Sequence, residues 1–301
     1  MAMAQGKFTI LEGRAVLAVS GPDRSLFLQG LVSNDVAKVA PDRAVYAALL
    51  TAQGKYLHDF IMVEAGDEIW LDAEAARLGD LKRRLSIYRL RAKVALTERP
   101  ELAVAAAFGD GVLATLGLGG EAGTARRQGA GMVLADPRLA ALGARAILPR
   151  DELRPALTAA GLAETDFAAY DRHRLGFGVP DGSRDLVPEK SILLEAGFDE
   201  LNGVDWQKGC YIGQELTART KYRGLIKKRL FPVRIDGAPP APGTMVTLAG
   251  KDAGEMRSSL DKVGLALLRL DAVAEQRPLK ADEVLLFASQ PDWMNLAGDR
   301  R

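Results

Sequence analysis

Thiol and imidazole groups are scarce in this chain: 301 residues hold one cysteine, Cys210, and two histidines, His58 and His173. A single cysteine excludes an intramolecular disulfide framework. Three such ligands, far apart in sequence, also argue against a tight zinc site built by one chain. An excess of one charge is missing too: Lys+Arg number 40 and Asp+Glu 39, a formal net charge of +1. No global field therefore advertises nucleic acid or membrane, and any such affinity has to come from a local patch. No run reaches the ~18 charge-free apolar residues of a spanning helix. Glu12, Gly13 and Arg14 interrupt the N-terminal stretch 1–17, which argues against a signal peptide. These absences predict a soluble, cytoplasmic protein, long enough for two or three domains of ~100–150 residues each.

What is present reads as alternating short elements. Residues 15–20 form an apolar run of strand length, stopped by Gly21-Pro22, after which Asp23 or Ser25 can cap a helix carrying Phe27 and Leu31. Residues 45–51 and 56–63 read as two strands around Ala52-Gln53-Gly54-Lys55, a hairpin with glycine at its special backbone position. A strand at 68–71 precedes an amphipathic helix over 74–89, with Leu78, Leu81 and Leu85 spaced three and four apart. Helices follow around 152–160 and 166–175, then an irregular polar stretch from 176 to 203, a length that in compact proteins often carries function. After Arg229 the runs 230–235, 245–248, 263–269 and 284–287, separated by Gly and Pro turns, predict a small antiparallel barrel or sandwich.

The distinctive stretch is Lys208-Gly209-Cys210-Tyr211-Ile212-Gly213-Gln214-Glu215. Gly209 and Gly213 flank the cysteine and let backbone approach something closely. Residues 214–222 have helix-forming composition, so Cys210 is expected just before a helix or in its first turn, where the dipole and the neighbouring Lys208 and Arg219 favour a thiolate. Residues 208–229 hold seven basic side chains and one acidic one, Glu215, a local charge of +6 suited to an anion. Taken separately, a lone cysteine is more often a small buried hydrophobe and a basic run a solvated face. The residues by themselves leave thiol chemistry and packing both open.

Residues 208–215 resemble the K-G-C-Y-x-G-Q-E signature of the YgfZ-type folate-binding family, which includes mitochondrial iron–sulfur maturation factors and is related to the glycine-cleavage T-protein. Gly21-Pro22-Asp23, Phe27-Leu28-Gln29-Gly30 and Ser33-Asn34-Asp35-Val36 resemble that family's opening strand–helix block. Residues 51–59 are similar to its second hairpin, Gly178-Val179-Pro180 to its short turn, and Gly254 with Ser258-Ser259 to a strand of its final barrel.

The resemblance implies an α+β, three-domain cloverleaf of the T-protein type. A discontinuous folate-binding first domain (1–50 plus 139–229) would hold an inserted α+β second domain (51–138), and an antiparallel β-barrel (230–301) would close the chain. It implies tetrahydrofolate or a derivative in the central opening. It also implies a folate-dependent role in assembling or repairing iron–sulfur clusters, including those of tRNA-modifying enzymes. Cys210 would be the working thiol, as ligand or redox nucleophile, and any cluster would be transient or shared, since one thiolate cannot hold a cluster that usually takes four.

Asp59 matches the second acid of the T-protein strand that contacts folate; His58 replaces the first, which argues against glycine cleavage. Lys208 and Arg223 would keep the thiolate ionised or bind an anionic group, Gly209 and Gly213 would permit close approach, Tyr211 would stack or hydrogen-bond, and Gln214 would orient the ligand. The expected partners are folate and iron–sulfur client or assembly proteins, without membrane or direct nucleic-acid binding. Three rivals remain: a folate-dependent aminomethyltransferase, an RNA-binding protein using 219–229, for which Tyr211 and Tyr222 alone offer stacking surfaces, and a pure scaffold in which Cys210 is inert.

Overall fold

The computed structural model describes residues 6–224 and 226–296. The first five residues of the 1–17 stretch, Leu225 within the basic segment, and the last five residues of the expected 230–301 barrel domain lie outside the described residues. The backbone gathers into two compact units, one of residues up to 50 with 57–170 and 202–212, the other of 51–56, 171–201 and 213 onward.

The strands of the first unit are β1 (Lys7–Ile10), β2 (Arg14–Ser20), β3 (Val45–Leu50), β4 (Tyr56–Ala65), β5 (Glu68–Glu74), β6 (Ala95–Glu98), β7 (Leu102–Phe108), β8 (Ala125–Gln128), β9 (Gly131–Ala135), β10 (Ala144–Pro149) and β11 (Ala163–Glu164). Its helices are α1 (Arg24–Gln29), α2 (Leu78–Tyr88), α3 (Val112–Thr115) and α4 (Arg150–Ala159), and α5 (Phe167–Gly176) leads out of it. Five strands form a sheet in the order β3-β4-β5-β2-β6, and six form another in the order β11-β1-β7-β10-β9-β8. The expected boundary at 50/51 falls between the paired strands β3 and β4, and that at 138/139 between the paired strands β9 and β10.

β3 is buried along its whole length, which is why it reads as an unbroken apolar run rather than as alternation, and β4 is buried over its first eight residues, the polar His58 and Asp59 among them. On one face of that sheet Leu17, Leu49, Phe60 and Leu71 pack with Phe27 and Leu28 of α1 and with Leu81 and Leu85 of α2. The period-3.6 pattern of α2 thus does what its spacing predicts: Leu78, Leu81 and Leu85 face the core while Asp80 pairs outward with Arg83 and Arg84. The six-stranded sheet packs Phe8, Ala105 and Ala146 against Leu153 and Leu157 of α4.

In the second unit, α6 (Gln214–Tyr222) precedes a closed barrel of β12 (Lys228–Asp236), β13 (Met245–Leu248), β14 (Lys251–Leu260), β15 (Val263–Arg269), β16 (Leu279–Ala281) and β17 (Val284–Ala288), with α7 (Leu270–Ala274) between β15 and β16. Closure satisfies the sheet edges, and Phe231, Val246, Met256 and Leu268 fill the interior. Four of the six barrel strands follow the apolar runs read from sequence; β14 and β16 do not. β14 is polar along most of its length, and its Gly254 sits at φ +145 where a Cβ would fall 2.0 Å from the Leu267 carbonyl oxygen.

Candidate functional site

The site is built by the turn that follows α1. The side chains of Ser33 and Asn34 are buried and do not cap a helix; they fasten a segment some 170 residues away. The Ser33 hydroxyl donates to the Gly203 carbonyl (2.6 Å) and accepts from the Ala48 amide on β3 (2.8 Å). The Asn34 amide donates to the carbonyls of Asn202 (2.7 Å) and Tyr46 (2.8 Å). Asp205 receives the amides of Gln207 (2.6 Å) and Lys208 (3.0 Å) on one carboxylate oxygen and Lys38 on the other (2.5 Å). Burial alone would raise the Asp205 carboxyl; the bond from Lys38 and the two amides hold it below the ordinary carboxylate range.

Lys208 completes the clamp. Its ammonium donates to the carbonyls of Gln29 (2.8 Å), Val32 (2.6 Å) and Asn34 (2.7 Å), where the end of α1 leaves backbone acceptors unpaired. It also lies 5.1 Å from the centre of the Tyr211 ring, which is buried beneath it. Burial pushes the Lys208 amine down to about 8, against the pull of Asp35 and Asp205. Three carbonyls aimed at three N–H donors suit the ammonium form, so Lys208 carries its charge inward. That corrects the expectation that it faces the thiol or an anion: its donors are already used. Two residues past the thiol, the Ile212 amide donates to the Gly30 carbonyl (3.2 Å), and the Ile212 side chain packs on the core of the first sheet.

Between these two anchors stands Cys210, a free and exposed cysteine. It lies in irregular backbone three residues before Gly213, ahead of α6 and not in its first turn, the first of the two places that the composition allows. Gly209 and Gly213 are different cases. Gly213 caps α6 at φ +81, a backbone that favours glycine. Gly209 has nothing within 4 Å of where a Cβ would be, so none of the described residues requires the close approach foreseen there. Gln214 opens α6, and Arg223 caps its far end, about 14 Å along the axis, so these two expected ligand contacts are not brought together.

Asp59 is buried on β4, and one of its oxygens accepts the Tyr46 hydroxyl at 2.8 Å. Burial, followed by the Asp59 charge, holds the Tyr46 phenol well above its ordinary range, so it stays a donor. Tyr46 joins the two expected centres of the first unit: its hydroxyl binds Asp59 while its carbonyl receives Asn34, a member of the clamp. Sequence reasoning assigned Tyr46, Ser33 and Asn34 no role; the only signal for the last two was the Ser33-Asn34-Asp35 block.

The +6 segment is less available than its count suggests. Arg219 pairs with Glu215, Lys221 with Asp199 (3.0 Å) and Arg229 with Glu200 (3.0 Å). Lys208 turns inward, and three of the other six basic side chains are answered by local carboxylates.

Residues 227–296 match the family described as the CAF17 C-terminal beta-barrel domain. Over 305 residues the chain is 40% identical to the human protein named iron–sulfur cluster assembly factor IBA57, mitochondrial, covering 94% of this chain and 84% of that one. The mouse protein of the same name is 38% identical over 308 residues, with the same coverage. Among solved structures, the aminomethyltransferase T of the glycine cleavage system from Bartonella henselae superposes with a TM-score of 0.77 over 97% of this chain and 87% of its own, at 17% identity. That likeness establishes the expected T-protein-type fold. The expectation of a cytoplasmic protein is overturned: the relatives are named mitochondrial, a setting that net charge and the lack of an apolar run do not register.

Proposed function

The chain belongs to the IBA57 family of iron–sulfur cluster assembly factors, and from that premise we propose that it serves cluster assembly or repair with Cys210 as its working thiol. The observation that carries this reading is an exposed thiol on a loop fastened at both ends, by the Lys208 ammonium on one side and Ile212 on the other. Fixed backbone with a free side chain is the arrangement that presents a ligand or nucleophile at low ordering cost. Among the described residues no group of three or more His, Cys, Asp or Glu could hold a metal ion. A cluster is therefore cargo in this reading: Cys210 supplies one thiolate and a partner the others. The open space at Gly209 leaves room for that partner.

The finer part of the proposal is folate dependence. A carboxylate held by a phenol, as Asp59 is by Tyr46, is an acceptor suited to the N–H edge of a pterin, so these residues fit tetrahydrofolate. Asp59 would take the pterin edge and Tyr46 would fix the carboxylate. Enzymes that modify tRNA are among the clients proposed.

The test is complementation of a strain lacking its own family member, with wild type, Cys210→Ala and Asp59→Asn at matched protein levels, reading the activity of an iron–sulfur tRNA-modifying enzyme. Rescue by wild type and failure of Cys210→Ala is the expected result, and equal rescue by both sinks the thiol role. Tetrahydrofolate binding that is unchanged in Asp59→Asn removes the folate assignment alone. Turnover of an aminomethylated carrier protein would instead bring back the aminomethyltransferase reading.

A further inference from the structure

We infer that the turn closing α2, together with Leu26 of α1, is a docking surface for an acidic protein that brings the remaining cluster ligands to Cys210; this rests on the function proposed above. Residues 82–93 hold six basic side chains and no acidic one, in a chain whose net charge is +1. Lys82, Arg83 and Arg84 are answered by Glu98 and Asp80. Among the described residues, Arg89, Arg91 and Lys93 enter no ion pair. Between these charges stand Ile87, Tyr88 and Leu90, the last 89% exposed, and Leu26 is 79% exposed. These are four of the seven large hydrophobic side chains left exposed among the described residues. Leu90 is moreover held at φ +42, a left-handed backbone that costs a leucine free energy without burying it.

Position connects this surface to the thiol. The Asp23 carboxylate at the start of α1 accepts the Lys93 amide at 2.7 Å, so Leu26 and the 86–93 turn share one end of that helix. Its other end supplies the Gln29 and Gly30 carbonyls that hold Lys208 and Ile212. Six residues of helix span about 9 Å. One docked protein can cover both ends.

The chemistry selects the occupant. Unpaired arginines call for carboxylates, and exposed leucine and isoleucine leave water only against apolar protein surface. A second copy of this chain would oppose basic to basic. RNA would use the arginines but leave Leu26, Ile87 and Leu90 in water, with Tyr88 alone to stack.

The test places the photo-crosslinking residue p-benzoylphenylalanine at Leu90, and at exposed Met245 as a control, in the full chain within cells. Adducts are identified by mass spectrometry. We expect an iron–sulfur protein crosslinked from position 90 through an acidic segment, absent from position 245. Its yield should fall by at least about tenfold in Arg89→Glu/Arg91→Glu and persist in Arg89→Lys/Arg91→Lys. A yield indifferent to charge reversal overturns the surface. So does binding to phosphatidylserine vesicles, or to single-stranded RNA, that the reversal abolishes while no protein adduct forms. Complementation separates this inference from the one beneath it: full rescue by Arg89→Glu/Arg91→Glu beside failure of Cys210→Ala removes the docking surface and leaves the thiol role standing. Full rescue by Cys210→Ala removes the thiol role, and the crosslink yields still decide the surface.

Discussion

Two residues separated by one glycine divide the work of the motif between them. Lys208 is structural: its ammonium satisfies three backbone carbonyls that would otherwise lie unpaired near the end of α1. Hydrogen bonds from a charged donor contribute about 1.5–3 kcal/mol, so Lys208→Met is expected to lower stability in urea unfolding by roughly 2–3 kcal/mol. Cys210 is exposed and makes no such bond, so Cys210→Ser should stay within about 0.5 kcal/mol of wild type while failing in complementation. A Lys208→Met protein as stable as wild type would contradict the clamp. The motif that holds both positions was legible in the sequence because an eight-residue pattern is local. The direction of Lys208 was not. It is set by Gln29, Val32 and Asn34, more than 170 residues away, and proximity along the chain suggested the thiol instead.

Elements were legible where one face is apolar and obscure where burial is mixed. The hairpin of β3 and β4 and the helices α2 and α6 declared themselves through period and turn chemistry, whereas β14 and β16 carry too little apolar pattern to be seen. The predicted role of Gly54 at the hairpin tip now has a reason beyond the turn. It sits at φ +77, and a Cβ there would come 2.6 Å from the Gly213 carbonyl oxygen and 2.7 Å from the Leu216 Cβ, both at the start of α6 within the same unit. A left-handed backbone costs a non-glycine residue about 1–2 kcal/mol, and a clash with fixed backbone adds to it. Gly54→Ala should therefore cost more than about 2 kcal/mol and also weaken rescue, because Gly213 connects α6 to the thiol loop. If Gly54→Ala unfolds with the wild-type midpoint, the tip does not press on α6.

At the scale of the molecule, the balance of charge conceals where the charges are. Inside the first unit a chain of ion pairs runs from Arg14 to Asp72 (2.7 Å), from Asp72 to Arg145 (3.4 Å), and through Asp136 to Arg138 (2.7 Å), joining the five-stranded sheet to the six-stranded one. The second unit repeats the device, with buried Arg174 held by Asp171 and Asp185 at 2.6 Å each. None of this was legible in the sequence, where each arginine reads as surface until its partner is found. It has a consequence in acid. Burial alone would raise the Asp136 carboxyl, but Arg138 and then Arg145 hold it down at about 2. A carboxyl depressed in the folded state adds stability that is fully present above its unfolded value of about 3.8 and is lost as pH falls from there toward 2. That contribution is roughly 2 kcal/mol. Asp136→Asn removes it and leaves two buried guanidinium groups short of a counter-ion, a loss of about 3–5 kcal/mol at neutral pH. The stability gap between wild type and Asp136→Asn should accordingly hold steady from pH 7 down to about 4 and then narrow toward pH 2. A gap that stays constant through that window would mean the carboxylate does not titrate as the ion-paired partner of Arg138.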